Sequence, residues 1–139
     1  MIADQGYSGT PLARKLGVRA YHRLILLHSP PGWEIPDLPE GVEVGAGDLR
    51  RANIVVAFYR SVDALARDTP SFVHELPHDG ALWIAWPRRA AGHTSDVTEN
   101  GVRELLLPAG LVDVKVAALG EDWSGLKFVW RVEYRHRHD

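Results

Sequence analysis

The segment His28–Trp33, which reads HSPPGW, lies where an open α/β domain of this layout would carry a phosphate-binding turn. Such a turn presents backbone N–H donors and lets the chain approach a ligand closely, and glycines allow both. Pro30 and Pro31 each remove a donor and fix φ near about −65°. The sequence therefore indicates a cofactor-domain scaffold whose cofactor turn has been replaced, and no bound cofactor is expected.

Other residue patterns that could do chemistry are incomplete. His74 and His78 have the spacing of a metal-binding pair on a helix, but Pro77, which breaks helices, lies between them. The chain has no cysteine, which excludes thiolate nucleophiles and thiolate metal sites. No serine lies in a nucleophile elbow. We therefore assign no catalytic residue and no metal ligand.

The ends of the apolar runs carry aromatic rings and arginines. In open α/β sheets, ligands collect at the carboxyl ends of the strands, and these side chains suit an anionic or aromatic small molecule. The candidate ligand-binding residues at this rim are Ser29, Gly32, Trp33, Tyr59, Trp86, Arg88 and Arg89. The alternative, which we favour, is that Trp33 and Trp86 close the core while the arginines are solvated.

Lys127 is an eighth candidate ligand-binding residue. It lies within a predicted strand whose neighbours Leu126 and Phe128 face the other way. A charge on an interior strand needs a partner or a path to solvent. Asp113 and Glu121 are the expected partners, and an ion pair is favoured over a ligand contact.

The elements that position these residues follow from hydrophobic patterning. Apolar runs at 24–28, 53–59 and 81–87 predict three parallel strands, each buried on both faces, and 42–44 a short edge strand. The last two predicted strands, 111–119 and 124–132, are joined by a short loop and therefore form a hairpin, with 124–132 antiparallel and interior.

Three helices are predicted between and before these strands. Thr10 as N-cap and Gly17 as C-cap bound a short N-terminal helix over 10–17. A helix over about 61–76 is expected to kink or break at Pro70. Asp96 and Glu99 have the spacing of a capping box that opens a third helix.

Size and charge favour one small soluble domain, assigned to 1–139 with a flexible tail at 133–139. The 139 residues suit a single core, and the formal net charge of −2 argues against nucleic acid or an anionic membrane as the main partner. The chain starts without a signal-peptide pattern, so a cytoplasmic location is expected. Nothing in the sequence indicates an oligomeric state.

Alternating strands and helices followed by a hairpin predict an α/β fold: a three-layer, Rossmann-like, mostly parallel sheet with a C-terminal antiparallel hairpin. This order resembles a truncated S-adenosylmethionine-dependent methyltransferase fold. The motifs SGTPLARKLG at 8–17, DGALWIAWPR at 79–88, VDVKV at 112–116 and WSGLKFV at 123–129 resemble a family of small, functionally uncharacterised bacterial domains. That resemblance implies the fold and no activity.

The methyltransferase resemblance also implies cofactor-binding positions. Methyltransferases of this class place an acidic residue and a glycine-rich turn after the first strand, and a second acidic residue at the end of the next strand to hold the ribose. Here the first position reads HSPPG, and only Glu43 and Asp48 lie near the second. The sequence therefore favours a non-catalytic domain that binds a small anionic ligand or a protein partner at the rim. The alternative is a divergent S-adenosylmethionine-dependent methyltransferase.

Overall fold

A six-stranded sheet forms the middle layer of the protein in a computed structural model, which describes residues 10–88 and 94–135. The strands are β1 (Arg23–Leu27), β2 (Glu43–Gly45), β3 (Ile54–Phe58), β4 (Ala81–Pro87), β5 (Leu111–Ala118) and β6 (Trp123–Trp130). Their order is β2-β1-β3-β4-β6-β5. The first four are parallel, and β6 is antiparallel to both β4 and β5. The predicted α/β class and the interior antiparallel strand are therefore confirmed.

Helices cover both faces of this sheet. They are α1 (Leu12–Leu16), α2 (Val62–Glu75), α3 (Glu99–Leu106) and α4 (Val132–Arg135). Leu65 of α2 and Leu106 of α3 belong to the core on one face. Leu16 of α1 belongs to the core on the other face. The sheet is thus the middle of three layers, and α4 occupies the first part of the segment predicted as a flexible tail.

The centre of the sheet is apolar on both sides because both faces are covered. Every residue of β3 and β4 is buried. Two tryptophan N–H groups in the core find backbone acceptors, since Trp83 donates to the carbonyl of Leu16 at 3.1 Å and Trp130 to that of Leu76 at 3.2 Å. These bonds satisfy the polar atom of each ring and tie the helical layers to the sheet.

β1 departs from the prediction that it is buried on both faces. Leu26 and Leu27 are only partly buried, and β2 beside them is exposed throughout. The connection over residues 28–42 contains four prolines and no helix, although parallel crossovers are usually helical. In place of a helix, Trp33, Ile35 and Leu38 of this loop pack against the core on the α1 face, and Leu26 and Leu27 stay only partly buried.

Two helix starts also differ from the prediction. α1 begins after Pro11 without a side-chain cap, so Thr10 is not its N-cap. The proposed capping box at Asp96 is wrong, because Thr98 caps α3 by accepting from the N–H of Gly101 at 3.0 Å. Asp96 instead accepts from the N–H of Val62 at 2.8 Å and so adds a second cap to α2 beside its N-cap Ser61. Pro70 lies inside α2, which remains a single helix.

The close packing at Gly125 gives a test of the layer that α1 covers. A Cβ at Gly125 would lie 2.5 Å from Leu119 Cδ1 and 3.0 Å from Trp83 Cε3. Gly125→Ala should therefore lower the free energy of unfolding by about 1–3 kcal/mol, measured by urea denaturation. Gly45→Ala on exposed β2 is the matched control and should change it by less than about 1 kcal/mol. Equal stabilities of the two variants would contradict this packing.

Candidate functional site at the strand ends

The order of strands reverses between β1 and β3. From β1 the chain crosses to β2 on one side and then returns to β3 on the other. In open α/β sheets, ligands bind outside the carboxyl ends of the strands at such a switch point. A cleft of about 490 Å³ lies there, lined by residues 28–31 after β1, residues 58–61 at the end of β3, and Trp123. We call it the strand-end cleft.

A carboxylate on α2 joins the two strand ends that form this cleft. The hydroxyl of Tyr59 donates to Asp68 Oδ2 at 2.7 Å, and His28 Nε2 lies 3.0 Å from the same oxygen. The rings of His28 and Tyr59 meet edge to face with centroids 5.4 Å apart. His28 has a φ of +59°, a conformation uncommon for residues other than glycine. One carboxylate oxygen therefore fixes the two residues that directly follow β1 and β3.

Burial and hydrogen bonding set the protonation states of Tyr59 and Asp68. Burial raises the pKa of the Tyr59 phenol, and the hydrogen bond to Asp68 and its negative charge raise it further. Burial also raises the pKa of Asp68, but the hydrogen bonds with Tyr59 and His28 outweigh that effect, and the net pKa is lowered. Tyr59 is thus a neutral donor and Asp68 a carboxylate at neutral pH. When His28 donates through Nε2, Nδ1 of the neutral ring is an acceptor.

Arg60 supplies a positive charge at the mouth of the cleft. Its guanidinium carbon lies 5.6 Å from the ring centroid of Trp123, within the range of a cation–π contact. The side chain is exposed, and the described ranges 10–88 and 94–135 contain no ion pair to it. Arg60 is therefore available to an anion.

The N-terminus of α2 lies beside Arg60, but two of its backbone donors are engaged by side chains. Ser61 accepts from the N–H of Ala64 at 3.3 Å. Asp96 accepts from the N–H of Val62 at 2.8 Å and adds a negative charge at the same place. An anion in the cleft would therefore depend on side chains rather than on the helix terminus.

Four of the seven predicted rim residues lie at or beside the cleft. Ser29 and Tyr59 line it. Gly32 and Trp33 line a neighbouring hollow of about 340 Å³. Trp33 is partly buried, donates from Nε1 to the carbonyl of Leu119 at 3.0 Å, and packs on Phe58 with ring centroids 4.8 Å apart. The indole of Trp33 therefore holds the proline-rich loop against the end of β5.

Trp86 and Arg88 do not line the cleft. Trp86 is only 8% exposed and packs in the core on the α2 and α3 face, opposite the face that holds Trp33. Arg88 donates from Nη1 to the carbonyl of Glu121 at 2.9 Å and so is fastened to the β5–β6 turn. Arg89 lies outside the described residues. The structure thus does not assemble Trp86 and Arg88 with Tyr59 into one surface.

The ion pair predicted for Lys127 is wrong. Asp113 Oδ2 instead accepts from Arg103 Nε of α3 at 2.9 Å. Asp113 is in register with Phe128, and the two point to the face opposite Lys127. Glu121 lies in the turn at the far end of β6, and no bond joins it to Lys127 in the described part of the chain. Lys127 is therefore in the middle of β6, away from the strand ends.

Sequence reasoning missed Asp68 as a site residue. It lies on α2, 40 residues from His28 in sequence, so no local spacing joins the two. A signal was nevertheless present, because Asp68 lies between Leu65 and Phe72 on the buried stripe of the helix. A carboxylate on an apolar stripe requires a polar partner across it.

The fold is similar to that of several solved proteins. A SAM-dependent methyltransferase from Aquifex aeolicus matches with a TM-score of 0.58 and 11% identity, over 84% of this chain and 86% of that one. The Methanococcus jannaschii fibrillarin pre-rRNA processing protein matches at 0.54 and 13%, over 86% and 73%. A protein of the NADB-Rossmann superfamily from Streptococcus agalactiae matches at 0.56 and 12%, over 92% and 71%. The chain thus has a Rossmann-like, methyltransferase-like fold.

No protein-family model matches the chain, and no curated protein matches it. The resemblance of its motifs to a family of small bacterial domains therefore stays a prediction.

S-adenosylmethionine does not fit the residues at the two positions where this fold would hold it. After β1, Trp33 donates its backbone N–H to the carbonyl of Pro30 at 3.1 Å, which closes a turn with Gly32 at a φ of +80°. That turn offers few free N–H donors because two of its residues are prolines. After β2, Asp48 Oδ1 accepts from the N–H of Arg50 at 3.0 Å and stabilises its own loop.

Metal and membrane features are lacking in the parts of the chain that the structure describes. Residues 10–88 and 94–135 contain no group of three or more histidine or acidic side chains that could hold a metal ion. No helix within them is long and apolar enough to cross a membrane.

Asp68→Asn tests the carboxylate that joins the strand ends. Since folding lowers the pKa of Asp68 below its usual 3.8, its charge stabilises the fold above about pH 4, and this stabilisation is lost as the pH falls further. The variant should lose about 1–2 kcal/mol of unfolding free energy at pH 7, since the side chain is partly exposed. Its deficit relative to the unmodified protein should shrink below pH 4.

Urea denaturation at several pH values measures this difference. Glu104→Gln, at an exposed position on α3, is the matched control and should match the unmodified protein at every pH. A deficit in Asp68→Asn that stays constant from pH 7 to pH 3 would show that the charge of Asp68 does not act as described.

Proposed function

We propose that the protein binds a small anionic molecule in the strand-end cleft, without catalysing a reaction on it. The observation that carries the proposal is that the strand order reverses at this cleft, between β1 and β3. The cleft also has the size of a small-molecule site, since such sites occupy roughly 300–1,000 Å³.

Arg60 is the anchor for the anionic group. A guanidinium presents parallel N–H donors that match the two oxygens of a carboxylate or phosphate. Trp123 supports it through the ring face, which limits the freedom that the side chain would lose on binding. Arg60 replaces Arg88 as the leading candidate, because the guanidinium of Arg88 already bonds to the β5–β6 turn. Arg89 stays a prediction.

The remainder of the cleft favours a ligand with a flat apolar part. Phe58, Tyr59 and Trp123 contribute aromatic surface. Asp68 forms hydrogen bonds with the hydroxyl of Tyr59 and with one nitrogen of His28. These polar groups therefore stabilise each other and are not left free to act on a substrate. This mutual satisfaction supports binding over catalysis. An acidic segment of a protein partner would use the same arginine.

A divergent S-adenosylmethionine-dependent methyltransferase is the second candidate. The similarity in fold to the Aquifex aeolicus methyltransferase over most of both chains favours it. The closed proline turn after β1 and the engaged Asp48 oppose it. Binding of a small anionic molecule is preferred over methyl transfer because it needs only groups that are present at the cleft.

A thermal-shift screen of nucleotides, sugar phosphates, small carboxylates and S-adenosylmethionine tests the proposal, followed by affinity measurement for each hit. A ligand at 100 times its Kd adds about 2.7 kcal/mol of stability, which such a screen detects. Arg60→Gln should weaken binding of an anionic hit at least about tenfold, since a charge-assisted bond is lost.

Two control variants locate the site. Arg50→Gln, on an exposed loop away from the cleft, and Arg88→Gln, near the cleft but bonded to the turn, should bind the hit as the unmodified protein does. A hit that binds Arg60→Gln with unchanged affinity would place the site elsewhere and contradict the proposal. A screen without small-molecule hits would also count against the proposal and would favour a protein partner as the occupant of the cleft.

A further inference from the structure

Lys127 lies partly buried in the middle of β6 with no anionic partner. It is in register with Trp83 of β4 and Lys115 of β5, and it points to the face that α1 covers. Burial lowers its pKa, and the charges of Lys115 and Arg19 lower it further. No hydrogen bond or ion pair to Lys127 is found in residues 10–88 and 94–135. A half-buried cation is thus placed beside other cations.

A β-bulge in β5 creates this arrangement. The register shifts by one residue between Asp113 and Lys115. Because side chains alternate between faces of a strand, the extra residue turns Lys115 to the face of Lys127, while Asp113 stays on the opposite face with Arg103. The bulge therefore places a second cation, rather than the apolar side chain of Val114, opposite Lys127.

Gly17, the C-cap of α1, has no side chain and so leaves space for the ammonium group of Lys127. Gly17 has a φ of +86°, and a Cβ there would lie 3.2 Å from Lys127 Nζ. Lys115 Nζ donates to the carbonyl of Lys15 at 3.1 Å, so the helix end partly offsets the charge of Lys115. Lys127 has no such acceptor within the described residues.

A hollow of about 490 Å³ lies against the same turn. Its lining includes Arg14, Gly17 and Arg19, and Asp37 is the one acidic side chain among its described lining residues. Arg19 contributes both to this hollow and to the electrostatic surroundings of Lys127. Of the three cations Lys127, Lys115 and Arg19, it is Arg19 that lines this hollow.

We propose that Lys127, Lys115 and Arg19 form a second binding site, for the phosphate group of a small ligand, on the α1 face of the sheet. Like charges that converge at a half-buried position repel each other, and a dianionic group between them removes that repulsion. Lysine ammonium groups bind phosphate as point charges, without the planar match that a carboxylate gains from arginine. The site is separate from the strand-end cleft and does not rest on the function proposed there.

Inorganic phosphate is the probe for this site. Thermal unfolding is followed as phosphate is added up to roughly 20 mM, with ionic strength held constant by sodium chloride. The Tm of the unmodified protein should rise by about 2–6 °C. Lys127→Met should abolish this rise, and without phosphate it should have a higher Tm than the unmodified protein, because an unpaired half-buried charge has been removed. Lys127→Arg should keep the response.

Exposed positions provide variants that do not disturb the core. Arg19→Gln and Lys115→Gln should each weaken phosphate binding about tenfold, as expected for loss of one charge-assisted contact. Arg50→Gln on a distant loop should leave it unchanged. If Lys127→Met does not fold, the phosphate responses of Arg19→Gln and Lys115→Gln test the proposal in its place.

Three results would overturn the proposal. The first is an equal response to phosphate and to chloride at matched ionic strength. The second is an unchanged phosphate response in Lys127→Met, or in both Arg19→Gln and Lys115→Gln. The third is loss of the response in Arg60→Gln alone, which would assign phosphate to the strand-end cleft and support the function proposed there instead.

Discussion

The four prolines in residues 28–42 constrain what the switch point of this sheet can bind. They prevent a helix from forming between β1 and β2, so no helix terminus points at the carboxyl end of β1. They also remove backbone donors from the turn itself. Recognition at the strand-end cleft must therefore come from side chains, and Arg60 is the cation placed there without an ion pair among the described residues.

The same missing helix explains the uneven burial of the sheet. β3 and β4 are covered on both faces and are apolar along their whole length. β1 is half-covered, and β2 is exposed and short. At the end of β1, the carboxylate of Asp68 forms hydrogen bonds with both His28 and Tyr59. One hydrogen-bonded carboxylate thus links the two strand ends, of β1 and β3, that border the cleft.

Strands were predictable from the sequence where hydrophobic burial decides structure. The apolar run at 81–87 matches β4 residue for residue, and the short loop before Trp123 indicated the hairpin that makes β6 antiparallel. Helix caps were less predictable, because Asp96 and Thr98 are both good capping residues and tertiary contacts decided that Asp96 caps α2.

The candidate sites depended on contacts that sequence spacing does not encode. The contact between Asp68 and His28 joins helix α2 to the loop that follows β1. The expected partner of Lys127 failed for a different reason, since Asp113 is in register with Phe128 and so lies on the opposite face of the sheet. A single-residue bulge in β5 then places Lys115, rather than Val114, opposite Lys127. A pattern of alternating residues assumes a regular ladder, and a one-residue slip inverts which side chains meet.

Calorimetric titration with S-adenosylmethionine and its demethylated product tests most directly whether the proline turn has removed the cofactor site. The account predicts no measurable heat of binding for either compound at concentrations up to about 100 μM, which corresponds to a binding free energy weaker than about −5.5 kcal/mol. A dissociation constant in the low micromolar range for either compound would contradict it and would restore the methyltransferase as the leading function.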